Sequence, residues 1–117
     1  MGYDIRFKVK TADGSMVAMG DQYANITWNV GDMIRLATGL EWHNEEDNGL
    51  CVDVMPKIAD GLKELTVNRQ KYKKYEDPDG WGTIDGTTDF LSTVIRDWNR
   101  FCTAYPRFVG VARFWIE

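Results

Sequence analysis

The chain has little cysteine, one histidine and no surplus of positive charge. Two cysteines, Cys51 and Cys102, cannot build a disulfide framework. Each sits in an apolar stretch, so both read as small buried hydrophobes in a reducing compartment. The single histidine, His43, has no nucleophile signature near it, which leaves a catalytic triad or a Cys–His pair without foundation. A formal net charge of −4 lacks the basic field that nonspecific nucleic-acid binding needs, so no nucleic-acid partner is expected. It leaves room for a local basic pocket holding a small phosphate. No apolar run approaches the roughly 20 residues of a membrane span, and residues 1–10 alternate instead of forming an apolar leader. Arg6 stands where a myristoylation pattern needs Ser or Thr. A cytoplasmic location without a membrane partner is the expectation. P-loop, dinucleotide fingerprint, zinc spacing and nucleophile elbow are all missing. No cofactor, catalytic residue or metal ligand is therefore assigned.

What is present suffices for one folded domain over residues 1–117. Hydrophobic residues make up 44% of the chain and five are tryptophan, which excludes a disordered composition. The longest amphipathic pattern lies in the C-terminal third. Ile84, Leu91, Val94, Ile95, Trp98, Phe101, Cys102 and Tyr105 recur at three- and four-residue spacing and predict a helix over 84–104. Asp97, Arg100 and Thr103 are expected on its opposite face, away from the apolar stripe. Thr83 is the predicted N-cap, and Pro106 stops the helix.

Tyr3, Ile5, Phe7 and Val9 alternate with charged residues and predict a strand over 3–10. Asp13-Gly14 then predicts a hairpin to a second strand over 15–20. Asn29 reads as the N-cap of a helix over 30–38, with Asp32 in its first turn and Gly39 ending it. Before that cap Asn25, Thr27 and Asn29 alternate with Ile26 and Trp28, so an extended entry would point three polar side chains one way. Residues 40–49 read as an acidic surface loop. Within it Glu41, His43, Glu45 and Asp47 offer metal-type ligands, but in no defined spacing. A helix is predicted over 54–66, with Pro56 in its first turn. Gly61 inside it reads either as a point of close helix approach or as a weak spot. Asn68 could cap a short continuation bearing Tyr72 and Tyr75, with a basic cluster of Arg69, Lys71, Lys73 and Lys74. That cluster reads as a solvated face or as an anion-binding wall. Residues 107–116 return to strand character with both faces largely apolar. The fold class is thus α+β: a three-stranded antiparallel sheet, made of the hairpin and the C-terminal strand, covered by about three helices. An open, two-sided apolar C-terminal strand would be a sticky edge, which predicts a homo-oligomer, most simply a two-fold dimer.

Trp28, Trp42 and Trp81 fall in loops or at helix starts, where a stacking role competes with a place in the core. An aromatic face beside helix N-terminal amides suits a nucleotide, whose base stacks while its phosphate accepts from the amides. The predicted pocket lies where the Asn25–Asn29 entry meets the turn Asp79, Gly80, Trp81 and Gly82. Asn25, Thr27, Trp28 and Asn29 would read the ligand, Gly80 and Gly82 would admit it to the backbone, and Arg35 or Arg69 would neutralise phosphate.

The YDI strand, the Asn25-x-Thr27-x-Asn29 entry and the Asp79-Gly80-Trp81-Gly82 turn resemble a group of small proteins encoded by phages and their bacterial relatives. In that group an N-x-T-x-N entry and an N-G-W-G turn recur; here Asp79 replaces the usual Asn. The resemblance implies a mobile-element context in an infected bacterial host and no defined activity. Small cytoplasmic phage proteins without enzyme motifs often act against host defences. By that analogy the expected function is sequestration, without catalysis, of a nucleotide-derived immune signal, a cyclic or conjugated ADP-ribose-like ligand of the Thoeris type. A protein-blocking inhibitor of a host defence complex and a small metal-assisted hydrolase built on His43 remain the alternatives.

Overall fold

The computed structural model describes residues 2–77 and 82–117. Strand β1 (Gly2–Lys10) alternates buried and half-exposed positions as its sequence requires. The hairpin forms: Gly14 takes φ +89°, Asp13 Oδ1 accepts from the Ser15 amide at 3.0 Å, and β2 (Met16–Ala18) returns antiparallel to β1. Bonds from Thr11 and Ser15 hold the Asp13 carboxyl down at about 2. A third strand, β3 (Asn25–Thr27), pairs with the beginning of β1. Helices α1 (Gly31–Thr38), α2 (Cys51–Val67), α3 (Arg69–Tyr72) and α4 (Ile84–Ala104) follow, with β4 (Glu46–Leu50) before α2 and β5 (Arg113–Ile116) last.

The class is α+β as expected, but the sheet has five strands among the described residues, not three. Its order is β2-β1-β5-β4, all antiparallel, with β3 also on β1. Of the two added strands, β3 keeps the alternation of Asn25, Ile26 and Thr27, while β4 lacks a strand sequence. β4 reads EDNGL, has no alternation, and carries a register shift between Asp47 and Leu50 with Gly49 at φ +99°. Its pairing comes from β5 and from Asp47, which accepts from Arg113 Nε at 2.8 Å. Burial and cross-strand partners, more than intrinsic preference, decide such a strand.

β5 is shorter than expected, because Pro106–Phe108 form a 3₁₀ turn and the chain straightens only at Arg113. It lies between β1 and β4, hydrogen-bonded on both sides. The sticky-edge argument for a dimer therefore fails: the apolar strand is internal.

One sheet face is buried. Phe7 meets Trp98 and Phe101 of α4 at ring distances of 5.3 and 5.6 Å, and Phe114 and Ile116 complete the layer. The other face is an ion-paired lattice: Lys8 Nζ lies 3.0 Å from Glu117 and 4.3 Å from the Trp115 ring centre.

α4 matches its predicted bounds, and Thr83 Oγ1 accepts from the Gly86 amide at 3.0 Å as an N-cap should. Asp97 departs from expectation. It is 2% exposed, not solvated, and its Oδ2 accepts from the Tyr23 and Ala24 amides at 2.8 and 3.0 Å. The carboxylate fixes the end of the connection between β2 and β3, taking the two successive amides that lead into β3.

α2 begins at Cys51, where the Cys51 amide donates to Ala112 O at 2.8 Å. Pro56 is consequently inside the helix and not in its first turn. Gly61 is a point of close approach. A Cβ there would lie 2.5 Å from Thr38 Cγ2 and 3.4 Å from the Ala37 carbonyl. Thr38 cannot turn away freely, since its hydroxyl donates to Ile34 O and accepts from the Leu40 amide. Helix propensity alone would make Gly61→Ala stabilising by up to about 1 kcal/mol. The contact makes it destabilising by about 1–3 kcal/mol, the scale of overpacking. Urea denaturation of the variant reads the sign directly.

Candidate functional site

The polar entry is extended only as far as Thr27 and then tightens into a 3₁₀ turn over Trp28–Val30. The three polar side chains therefore do not share one direction. Asn25 donates to Asp4 Oδ1 at 2.6 Å, while Asn29 donates to Asp77 Oδ2 at 2.7 Å. Thr27 lies half-buried opposite Gly2. Asn29 does not cap α1; Val30 occupies that position and makes no side-chain cap. Trp28 leaves the apolar row of Ile26. It is 43% exposed, with Nε1 donating to Gly2 O at 2.9 Å. One edge of the indole is pinned while much of its surface faces solvent.

The two predicted motifs do meet at their described ends. Gly82, at φ +83°, packs so closely on the entry that a Cβ would lie 3.0 Å from Val30 Cγ1 and 3.1 Å from Asn29 Cβ. A side chain at 82 would meet both strain and a wall, so glycine is required there. The Asn29–Asp77 bond ties the same two segments. Asp79, Gly80 and Trp81 lie outside the described residues.

The helix N-termini are less open than their sequences suggest. Ile84 N donates to Glu76 Oε2 at 2.8 Å, and Gly86 N is taken by Thr83. The Ile84 amide holds the Glu76 carboxyl below its ordinary value. Glu76 thus already occupies a place an anion would take at the start of α4. At α1 the preceding 3₁₀ turn uses the Gly31 amide, which donates to Trp28 O.

The two candidate phosphate arginines are both engaged. Arg35 donates to Trp42 O at 2.6 Å and pairs with Asp32. Arg69 pairs with Asp85 at 2.8 Å. In the rest of the basic cluster, Lys71 and Lys73 lie 3.4 Å from Glu64 and Glu76, and Lys74 sits over the Tyr75 ring. Trp42 is core, fully buried among Tyr3, Phe90 and Phe114. His43 Nε2 lies 3.4 Å from Glu41, but Asp47 is turned to Arg113. Among the described residues no three His, Cys, Asp or Glu side chains gather as a metal would require. No helix among them is long and apolar enough to cross a membrane.

Sequence reasoning missed Asp77 and Glu76, which close the junction and the helix start. Their acidic side chains sit seven and eight residues before Ile84, too far for any capping pattern to flag. Comparison of the chain with protein-family models, curated proteins and solved structures yields no match.

Proposed function

We propose that the protein binds and sequesters a nucleotide-derived immune signal, a cyclic or conjugated ADP-ribose-like molecule, without transforming it, as a phage anti-defence sponge. The observation that supports this reading is the junction of Asn29, Asp77 and Gly82, which joins two motifs about fifty residues apart. Beside it the pinned, exposed Trp28 supplies a stacking face for a base. Arg35 is the nearer phosphate partner by sequence; a phosphate would compete with Asp32 for its guanidinium.

A thermal-shift screen against cyclic ADP-ribose isomers, ADP-ribose and its histidine conjugate tests it. A ligand at a hundred times its Kd should stabilise by about 2.7 kcal/mol. Heat release followed by chromatography should return the ligand intact. Trp28→Ala should remove the shift while leaving the unliganded melting temperature near its original value. No shift with any of these molecules, or new products after release, overturns the reading. With β5 internal, a dimer would form through the outer edge of β4 or the β2–β3 edge. Light scattering at tens of micromolar decides whether the sponge is oligomeric.

A second reading has one observation in its favour. Val52, Phe108 and Val111 are exposed at 41, 36 and 55%, and backbone bonds from Cys51 to Ala112 O and from Val111 to Phe108 O bring their segments together. An apolar patch of this kind suits an inhibitor that covers a host protein. Pull-down of one host protein with no small-molecule shift would favour it.

A further inference from the structure

The connection between β2 and β3, residues 19–24, is held from two sides. Gln22 Oε1 accepts from the Phe7 amide at 3.2 Å and its Nε2 donates to Met19 O at 2.7 Å. Asp97 takes the Tyr23 and Ala24 amides from beneath. Beside this braced loop opens a cavity of about 170 Å³, walled by Gly20, Asp21, Tyr23, Arg100, Phe101 and Tyr105. It sits near the far end of α4: Arg100 is sixteen residue steps along the helix from Ile84, about 24 Å at 1.5 Å per residue.

We propose that this cavity binds a small aromatic acid, with the ring against Phe101 and Tyr105 and the carboxylate on Arg100. The volume suits one six-membered ring, since a cavity of about 150 Å³ admits benzene. Half-exposed Tyr105 gives the ring its aromatic wall, backed by buried Phe101 at 5.3 Å and a 52° tilt. Gly20, at φ +73°, has no Cβ to intrude; one there would lie 3.1 Å from the Tyr105 ring.

Arg100 is oriented but unspent. Its guanidinium lies 5.5 Å over the Tyr23 ring, and Nη1 is 3.6 Å from Asp97 Oδ1. At that distance the pair attracts without a hydrogen bond. Asp97 Oδ1 is buried with no hydrogen-bond partner, and Arg100 makes none among the described residues. A planar fork with free donors, fixed at the mouth of an aromatic cavity, matches a carboxylate bidentately. Asp21 at the same mouth makes no ion pair or hydrogen bond among the described residues and can receive an ammonium group. Aromatic amino acids are therefore the members of the class expected to bind tightest. The site is independent of the sponge junction, and either can fail without the other.

Titration of the ¹⁵N-labelled protein with 3-phenylpropionate, phenylalanine and benzyl alcohol, each to 10 mM, tests the site by amide shifts. Both acids should move amides of residues 20–24 and 100–105 with saturation, phenylalanine at the lower concentration. Benzyl alcohol should bind at least tenfold more weakly than either. Arg100→Gln, at a half-exposed position, should stay folded with a melting temperature lowered by the lost attraction to Asp97, and lose about ten- to hundredfold in affinity for both acids, the scale of a charge-assisted bond. Absence of saturable shifts, shifts centred elsewhere, equal binding of benzyl alcohol, or full affinity in Arg100→Gln overturns the proposal. Tighter binding of 3-phenylpropionate than of phenylalanine overturns the role of Asp21.

Discussion

Asp97→Ala is expected to cost about 3–5 kcal/mol of folding stability, because hydrogen bonds to a charged group contribute about 1.5–3 kcal/mol each and two are lost. Oδ2 accepts from the amides of Tyr23 and Ala24, and Ala24 is 2% exposed, so the alanine variant leaves a buried amide without its acceptor. A helix-surface reading of the same residue gives the opposite sign, since Ala outranks Asp by up to about 0.7 kcal/mol in an exposed helix. The two readings thus differ by several kcal/mol in one chemical denaturation experiment. Asp97→Asn keeps an acceptor oxygen and should lose clearly less than the alanine variant. Hydrogen exchange adds a local readout, with faster exchange at Tyr23 and Ala24 in Asp97→Ala. An alanine variant as stable as the original would falsify the clamp.

Asp97 also shows where the sequence is legible and where it is not. The 3.6-residue period located α4 to the residue, because its apolar stripe and Thr83 cap are local signals. The same period placed Asp97 on the outside, since a polar residue offers no sign that a distant loop needs an acceptor. Its partners are 73 and 74 residues away. β4 was illegible for a related reason. EDNGL is a strand because β5 pairs with it and Arg113 meets Asp47, both long-range facts. At the candidate junction, sequence brought Asn29 and Gly82 together correctly but not the side chains that close it. Asp77 and Glu76 act through contacts that carry no fixed spacing. The hairpin, by contrast, was readable from Asp13-Gly14, where the turn chemistry lies within four residues.

Trp42→Ala is expected to lose about 3–5 kcal/mol, as large-to-small changes of buried aromatics do. That is a large share of the roughly 5–15 kcal/mol that stabilises a domain. The loop position of Trp42 permits a ligand-stacking role, yet the residue is fully buried. It stands edge-on to Tyr3 and Phe90, both at 5.9 Å, and tilted to Phe114 at 6.1 Å. Its carbonyl also accepts from Arg35 at 2.6 Å, which joins the loop to α1. Trp42→Phe separates volume from polarity. The indole Nε1 is buried without a hydrogen-bond partner among the described residues, and an unpaired buried donor costs about 1–3 kcal/mol. Phenylalanine gives up part of the ring volume and removes that donor, so the variant should lose under about 2 kcal/mol, well short of the alanine loss. Equal destabilisation by Ala and Phe would mean that the N–H is satisfied in solution. A Trp42→Ala protein that melts normally would remove Trp42 from the core and return it to the list of stacking residues.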